Sequence, residues 1–523
     1  VAKIPGMAAV STPQLRLPTT WSPQQEAVFE WVKNGSNDSN AIIIAVAGAG
    51  KTTTLLKICE LAKGEVGFCA FNKKIADEIQ ARITGLGLSG SVRSQTFHAI
   101  GMRALGKLLG KLEVEADKTS GILEEIDAPF YIRAASKKLI SLGKQSLVGL
   151  NWEIDSSDHW IELMDHYDVY ELLPETTFKA RRDPVEEAIE WAVKGLRESC
   201  AQTKDGLIDF DDMIYESIML EAPFPTFDWV LLDEAQDTNA GRRVMAGKML
   251  REGSRLVAVG DPHQAIYGFT GADSKSLDLI KLVFCATELP LTVTYRCPKA
   301  VVRHAHQWVS HIEAHESAPE GKVTSISTED FFKLKLDSSD AILCRNNKPL
   351  VQLAFDFIRK KVACHIEGRD IGQGLITLMK KWKTVNNLKE LHDRLLDYKE
   401  TQVQRLQARG NHAKAASIAD RVDTIFVLME NFSNKEPVSA LTNLINSLFQ
   451  DSEGKQLKSI TLSTIHKAKG REWDRVYLWG RNAYMPSHWA KQEWELEQEN
   501  NLCYVAVTRA KKELVEVTVG GEE

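Results

Sequence analysis

The chain has 523 residues, 43% of them hydrophobic, with 65 Lys plus Arg against 71 Asp plus Glu for a formal net charge of −6. Such a length exceeds one ordinary domain and leads us to expect two to four, each with a sizeable core. The acidic balance supplies no global basic field, so contact with nucleic acid requires a locally basic groove. No apolar run reaches the length of a membrane span, so no membrane partner is expected, and the N-terminus lacks the basic start and apolar core of a signal peptide. Eight cysteines lie scattered without a CxxC pair, which argues for reduced thiols over a disulfide framework or a zinc or iron–sulfur centre. The expected location is inside the cell, cytoplasmic in a bacterium or phage and nuclear in a eukaryote.

From Trp21 to about Ile100, strand–turn–helix signals dominate. In "AIIIAVAGAGKTTTLLKI" (Ala41 to Ile58), β-formers from Ile42 to Val46 lead into Gly48 and Gly50 and then an apolar pattern of helical period. Glycines there let backbone N–H groups turn toward phosphate oxygens at a helix start. The run reads A-x-x-G-x-G-K-T, with Ala45 where the strict phosphate-loop pattern has Gly. Ala47, Gly48, Ala49, Gly50, Lys51, Thr52 and Thr53 form the expected nucleotide cradle, with Lys51 on the β- and γ-phosphates and the Thr52 hydroxyl on Mg²⁺. "FNKKI" (Phe71 to Ile75) has Ile75 where a guanine-reading Asp would be required, which disfavours GTP.

Gly101 to Lys204 reads mostly helical. Strand signals resume from Asp209 to about Leu289 with the buried runs "WVLLD" and "RLVAVGD". Trp229 to Leu232 form a strand interior that ends on Asp233 and Glu234. A carboxylate at the end of a strand beside a phosphate loop suits Mg²⁺, and the next one suits orienting and deprotonating water. Asp233 is therefore assigned to the metal and Glu234 to the base, which favours hydrolysis over nucleotide storage.

A second α/β texture begins near "ELPLTVTYR", continues through "DAILCRNN" and returns at "SITLSTIHKAKG". Between them, Gly368 to Lys458 is helical, with charges that read as a solvated face in preference to a nucleic-acid surface. The simplest layout is two α/β cores, each with a helical insertion. Residues 1–100 and 205–290 make the first core and 101–204 its insertion; 291–367 and 459–523 make the second core and 368–458 its insertion.

"LLDEAQD" together with "VGDPHQAIYGFTGA" resembles the UvrD/Rep/PcrA group of superfamily 1A DNA helicases, and further motifs follow in the family's order over nearly the full length. Within that group, the chain is expected to be a compact member close to the F-box DNA helicases. The resemblance implies two RecA-like P-loop NTPase cores with parallel sheets. It implies that Gln24 of "WSPQQEAV" reads the adenine edge, and that "CAFNKKIADEI" and "QTFHAI" contact the DNA backbone through Phe71, Asn72, Thr96, Phe97 and His98. "DGLIDFDDMIY" (Asp205 to Tyr215) matches a run that the family carries before its acidic motif. Gln264 is similar to the glutamine that senses the γ-phosphate, and Tyr267 and Phe269 stand where the family stacks aromatics on bases, a platform that tolerates any base. "TYRCP" places Tyr295 on adenine and Arg296 as an arginine finger, with Arg509 of "VTRA" as a second. Arg345 of "ILCRNN" and Thr464 and His466 of "LSTIHKAKGREWDRVYL" match DNA-contacting positions, and Glu472 a nucleotide-facing one, with Lys469 and Gly470 beside them. Trp489 and Trp494 read as local packing.

Two departures stand out. The family commonly has Trp-Arg-Gly-Ala where this chain has "FTGA", so Thr270 lacks a charged contact, and the second insertion is much shorter than the regulatory subdomain of the bacterial enzymes. Ala45 matches the family's small-residue variation. What the resemblance implies is an ATP- and Mg²⁺-dependent translocase moving 3′→5′ on single-stranded DNA, acting at junctions with duplex, as a monomer, with protein partners of repair or replication open. A 5′→3′ superfamily 1B motor, or a DNA-binding scaffold with a vestigial ATPase, remain the alternatives.

Overall fold

The computed structural model describes residues 17–36, 39–70, 72–167, 169–173, 183–266, 275–360, 362–382, 385, 387–408, 412–430, 432–450, 459–487, 490 and 493–520. Two open, all-parallel sheets organise the chain. The first has six strands in the order Val92–Thr96, Val66–Ala70, Phe227–Leu232, Leu250–Gly260, Ala41–Ala45, Thr287–Leu291. The second has seven, in the order Lys322–Ser327, Ala510–Thr518, Trp473–Trp479, Asp340–Cys344, Ile460–Thr464, Cys364–Glu367, Phe449–Gln450. These are the two RecA-like α/β cores that the motifs imply.

The central strands read as near-continuous apolar runs because both faces of each sheet are covered. Successive side chains leave opposite faces of a strand. Ile42, Val230, Leu232 and Ala258 therefore pack with the helices that follow residue 97, while their neighbours Ile43, Leu231, Val257 and Val259 join a cluster shared with Val476, Leu478, Tyr504 and Leu514 of the second core. The outer face of the second sheet, through Ile342, Leu462, Tyr477 and Val515, packs on Leu391, Leu395, Val422, Ile425 and Ile445. Those residues lie on the helices Leu388–Ala408, His412–Met429 and Val438–Leu448 of the second helical segment.

"ELPLTVTYR", where the second α/β texture was expected to begin, divides differently. Its first part forms the strand Thr287–Leu291, which pairs with Ala41–Ala45 and closes one edge of the first sheet. Val293–Thr294 then pairs only with Glu313–Ala314, outside both large sheets. Alternation and composition mark a strand here but carry no information about which sheet receives it.

The first helical segment is anchored by a buried ionic network. Lys118 Nζ donates to Asp212 Oδ2 (2.7 Å), the Ser199 carbonyl (2.9 Å) and Thr203 Oγ1 (2.8 Å). Lys144 Nζ reaches Asp209 Oδ2 at 2.8 Å, Asp212 Oδ1 at 2.7 Å and Ser199 Oγ at 2.9 Å. The run "DGLIDFDDMIY" thus contributes the carboxylates that fasten the helices Lys118–Glu125, Arg133–Ser146 and Pro184–Lys204 to the first core. Among the described residues no helix is long and apolar enough to cross a membrane, the eight cysteines are free, and no cluster of His, Cys, Asp and Glu stands ready to hold a metal by itself.

Candidate active site

The phosphate loop joins the strand Ala41–Ala45 to the helix Lys51–Leu61. Gly48 and Gly50 sit at φ 73° and 78°, a region that L side chains rarely adopt. A Cβ on Gly48 would lie 2.5 Å from Thr294 Oγ1 and 2.6 Å from Arg296 Cβ, so nothing larger fits there. Gly50 caps the helix without a side-chain bond, leaving the first-turn N–H groups above Lys51, Thr52 and Thr53 for an anion. Ala45, Ala47 and Ala49 are buried, and the Ala47 N–H donates to the Tyr504 hydroxyl at 2.9 Å, a bond from one core to the other.

Two further strand ends converge on this loop. Phe227–Leu232 runs into Asp233 and Glu234, and Leu250–Gly260, between it and the loop strand, runs into Asp261. Thr52 donates its hydroxyl to Asp233 Oδ2 at 3.1 Å, and Lys51 Nζ lies 3.4 Å from Glu234 Oε2. The two carboxyls are pushed apart in acidity. Burial and the neighbouring Glu234 charge raise Asp233 to about 6, while on Glu234 burial is outweighed by Lys51 and Lys469, which hold it down near 2. A buried carboxyl so raised, beside a hydroxyl and with only oxygen donors, suits a hard divalent cation whose charge would offset that penalty. Glu234 also adopts φ 51°, an uncommon conformation for a non-glycine residue. From there Gln236 donates to Glu234, Gln236 Oε1 accepts from the Asp261 N–H at 3.1 Å, and Gln264 Nε2 donates to Asp261 Oδ2 at 2.6 Å.

The opposite wall carries Tyr295, Arg296 and Arg509. The Tyr295 N–H donates to the Gly48 carbonyl at 2.9 Å; the residue is 46% exposed, and its ring centre lies 4.8 Å from that of His315. Arg296 Nε donates to Glu472 Oε2 at 2.6 Å, which brings the sequence-expected Glu472 into the cleft. Arg509 is fully buried, its guanidinium donating to the Val505 carbonyl (2.8 Å), the Arg471 carbonyl (3.3 Å) and Thr508 Oγ1 (3.1 Å). Burial and the charge of Arg296 lower its pKa to about 9.

Two adjacent glutamines divide their tasks. Ser22 caps the helix Pro23–Asn34 in a capping box closed by Gln25, which also donates to Thr54 Oγ1 (3.0 Å) and accepts from the Tyr295 hydroxyl (3.1 Å). Gln24 has its amide taken by Thr292, donating to Oγ1 at 2.8 Å and accepting from the N–H at 2.7 Å. The glutamine that meets Tyr295 is therefore Gln25, which the motif reading passed over. Its signal was the S-x-x-Q spacing of the capping box.

The expected DNA contacts fall at the carboxyl ends of parallel strands. Asn72 and Thr96 follow two neighbouring strands and cap the helices Lys73–Gly85 and Phe97–Leu109, accepting from the Ile75 N–H (2.9 Å) and the Ala99 N–H (3.2 Å). Thr464 caps the short helix Ile465–Ala468 in the same way. Phe97 is buried in the core. His98 is lowered to about 4 by burial and Arg242, and His466 to about 3 by burial, Arg345 and Lys469, which favours the neutral imidazole in both. Arg345 is paired with Glu499, Nε at 2.9 Å and Nη2 at 2.8 Å from Oε1. Phe71, Tyr267, Phe269, Thr270 and Trp489 lie outside the described residues. Trp494 lies 6.4 Å from the His166 ring, between ring centres. Phe210, which motif reading did not single out, is 57% exposed although it stands between the buried Asp209 and Asp212.

Comparison with known proteins matches residues 22–283 to the UvrD/REP helicase N-terminal domain and residues 369–519 to the UvrD-like helicase C-terminal domain. The chain is 25% identical to the ATP-dependent DNA helicase UvrD2 of Mycobacterium tuberculosis over 90% of this chain and 75% of that protein. It is 22% identical to the ATP-dependent DNA helicase PcrA of Staphylococcus epidermidis over 95% and 83%, and 24% identical to F-box DNA helicase 1 of Gallus gallus over 90% and 46%. The chain belongs to the UvrD/REP family of ATP-dependent DNA helicases.

Proposed function

We propose that this helicase is a 3′→5′ motor on single-stranded DNA that couples ATP hydrolysis to strand separation at junctions with duplex, in repair, replication or recombination. The observation that carries the reading is Arg296, whose Cβ lies against Gly48 of the phosphate loop and whose guanidinium pairs with Glu472, together with the buried Arg509, near enough to Arg296 and Glu234 to feel their charges. Groups supplied across a cleft act on the transferring phosphoryl only when the cleft is closed, which ties hydrolysis to domain motion.

Within that reading, Lys51 and the loop N–H groups hold the phosphates, and Thr52 and Asp233 would hold Mg²⁺, which neutralises charge on the phosphate oxygens when bound. Glu234, kept ionised by Lys51 and Lys469, orients the attacking water and accepts its proton. Tyr295 stacks on the adenine with Gln25 at its hydroxyl and Gln24 behind, and Gln264 carries the state of the γ-phosphate toward the DNA. The paired helix starts at Asn72 and Thr96, with Thr464, His98 and His466, receive backbone phosphates through neutral donors and helix dipoles. Phe210 adds an exposed aromatic for a base. Arg345 acts through its pairing with Glu499 or on release from it.

A duplex with a single 3′ or 5′ tail tests motor and polarity together. Unwinding from the 3′ tail alone is expected with ATP and Mg²⁺. Unwinding from a 5′ tail alone would assign the chain to the opposite polarity. ATP turnover that ignores single-stranded DNA would leave only a vestigial ATPase on a scaffold.

A further inference from the structure

The carbonyls of two consecutive first-core residues, Gln264 and Ala265, are each captured by a side chain of the second core. Lys469 Nζ donates to the Gln264 carbonyl at 2.7 Å and also reaches Asp237 Oδ2 at 2.7 Å, and Asn501 Nδ2 donates to the Ala265 carbonyl at 3.1 Å. Within the first core the same turn, Pro262–Gln264, is tied back through Asp261 and Gln236 to Glu234. A continuous line of hydrogen bonds thus runs from the acidic motif to Asn501.

Asn501 is only 6% exposed and lies on the helix Glu493–Val507. Two other side chains of that helix reach out to working parts. Tyr504 accepts from the Ala47 N–H of the phosphate loop and its ring lies 6.1 Å from that of His263, edge to face. Glu499 holds Arg345 and the Ser487 N–H. One rigid element therefore touches the phosphate loop, the turn that carries Gln264, and an arginine at a strand end on the expected DNA face.

We propose that Asn501 is a positioning residue that, with Lys469, clamps the Gln264 turn to the second core and makes ATP turnover responsive to DNA. The proposal rests on the DNA-stimulated motor reading above. The Asn501 bond joins groups on opposite cores, so it contributes only where the cores approach as they do here. An interaction present in one of two states biases the equilibrium between them. Breaking it also leaves a half-buried carbonyl without that donor, which penalises the approach of the cores further.

The test uses the full chain, saturating ATP with Mg²⁺, and oligo(dT) as the single-stranded probe. Asn501→Leu keeps the branching at Cγ and removes the donor. DNA-free turnover is expected to stay within about twofold of the parent while DNA-stimulated kcat falls roughly tenfold, the scale of one bond made in one state only. Asn501→Asp keeps the shape and replaces the donor with an acceptor, so it is expected to lose stimulation as well and serves if the leucine variant does not fold. Full stimulation in either folded variant overturns the clamp, and so does an equal loss with and without DNA, which marks a purely structural role. Absent stimulation in the unsubstituted chain overturns the motor reading and the clamp together, whereas normal stimulation there with an unaffected Asn501→Leu overturns the clamp alone.

Discussion

Glu234 sits at φ 51° with its neighbour Asp233 shifted in the opposite acidity direction, and the pair shows how much a single position depends on its surroundings. Residue order separates the two carboxylates only by position; Lys51 and Lys469 on one side and burial on the other shift their acidities in opposite directions. Arg509 is the complementary case. Its guanidinium is held by three acceptors, so a lysine cannot reproduce the fork. Arg509→Ala is expected to lower ATP turnover by roughly 10³, the scale of a lost arginine finger, with nucleotide affinity retained. A fluorescent-nucleotide titration beside steady-state turnover checks it, and an unchanged rate removes the assignment. At Gln24 and Gln25 the motif pointed to the first and the Tyr295 hydroxyl meets the second, because the two side chains leave a helix start in directions that only the Ser22 cap defines.

The helices of the first helical segment are held together by their buried ionic network. Lys144→Met leaves Asp209 without a lysine and Asp212 with Lys118 alone, and is expected to destabilise the chain by about 3–5 kcal/mol, as for other broken buried pairs. Denaturant unfolding followed by circular dichroism measures this, and a change under about 1 kcal/mol would mean that the network adds nothing beyond packing. The pH dependence has a defined sign. Burial opposes the charge on Lys144, but Asp212 and Asp209 win and push its pKa up to about 12. Its contribution is therefore complete below the ordinary lysine value of about 10.4 and is lost as pH rises through about 12. Burial likewise opposes ionisation of Asp209, yet Lys144 holds its pKa below the usual value, so its contribution is present above about 3.9 and disappears as pH falls through the lowered pKa. The helical character of this segment was plain from residue pattern, and the network was not. Lys118 and Lys144 look like any surface lysines until the helices Arg133–Ser146 and Pro184–Lys204 close over them.

For the whole molecule the net charge of −6 sets up an apparent conflict with a polyanionic partner. On the proposed reading local donors resolve it: the helix starts at Asn72, Thr96 and Thr464 would meet phosphates with their N-terminal dipoles, without needing a basic protein. Single-stranded DNA affinity is accordingly expected to fall as salt rises from 50 to 200 mM, with a log–log slope of about −0.7 for each phosphate contact neutralised by a cation. Because the histidines at 98 and 466 are neutral and Arg345 is already paired, that slope should be shallow. Fluorescence anisotropy on oligo(dT) measures it, and a steep slope would show that cationic side chains carry the binding.

Motif chemistry is local in the chain, which is why the phosphate loop, the acidic pair, the two α/β textures and their helical insertions were legible in residue order. Each depends on residues a few positions apart and on strand or helix periods that neighbours enforce. The cleft is built from partners far apart along the chain: Ala47 and Tyr504 are separated by 457 positions, Lys469 and Asp237 by 232, Asn501 and Ala265 by 236. No local pattern encodes such pairs, nor the membership of Thr287–Leu291 in the first sheet, nor the separation of Asp233 from Glu234 in acidity. Packing of two sheets against a common apolar cluster brings those groups within bonding distance, and burial then sets their charges.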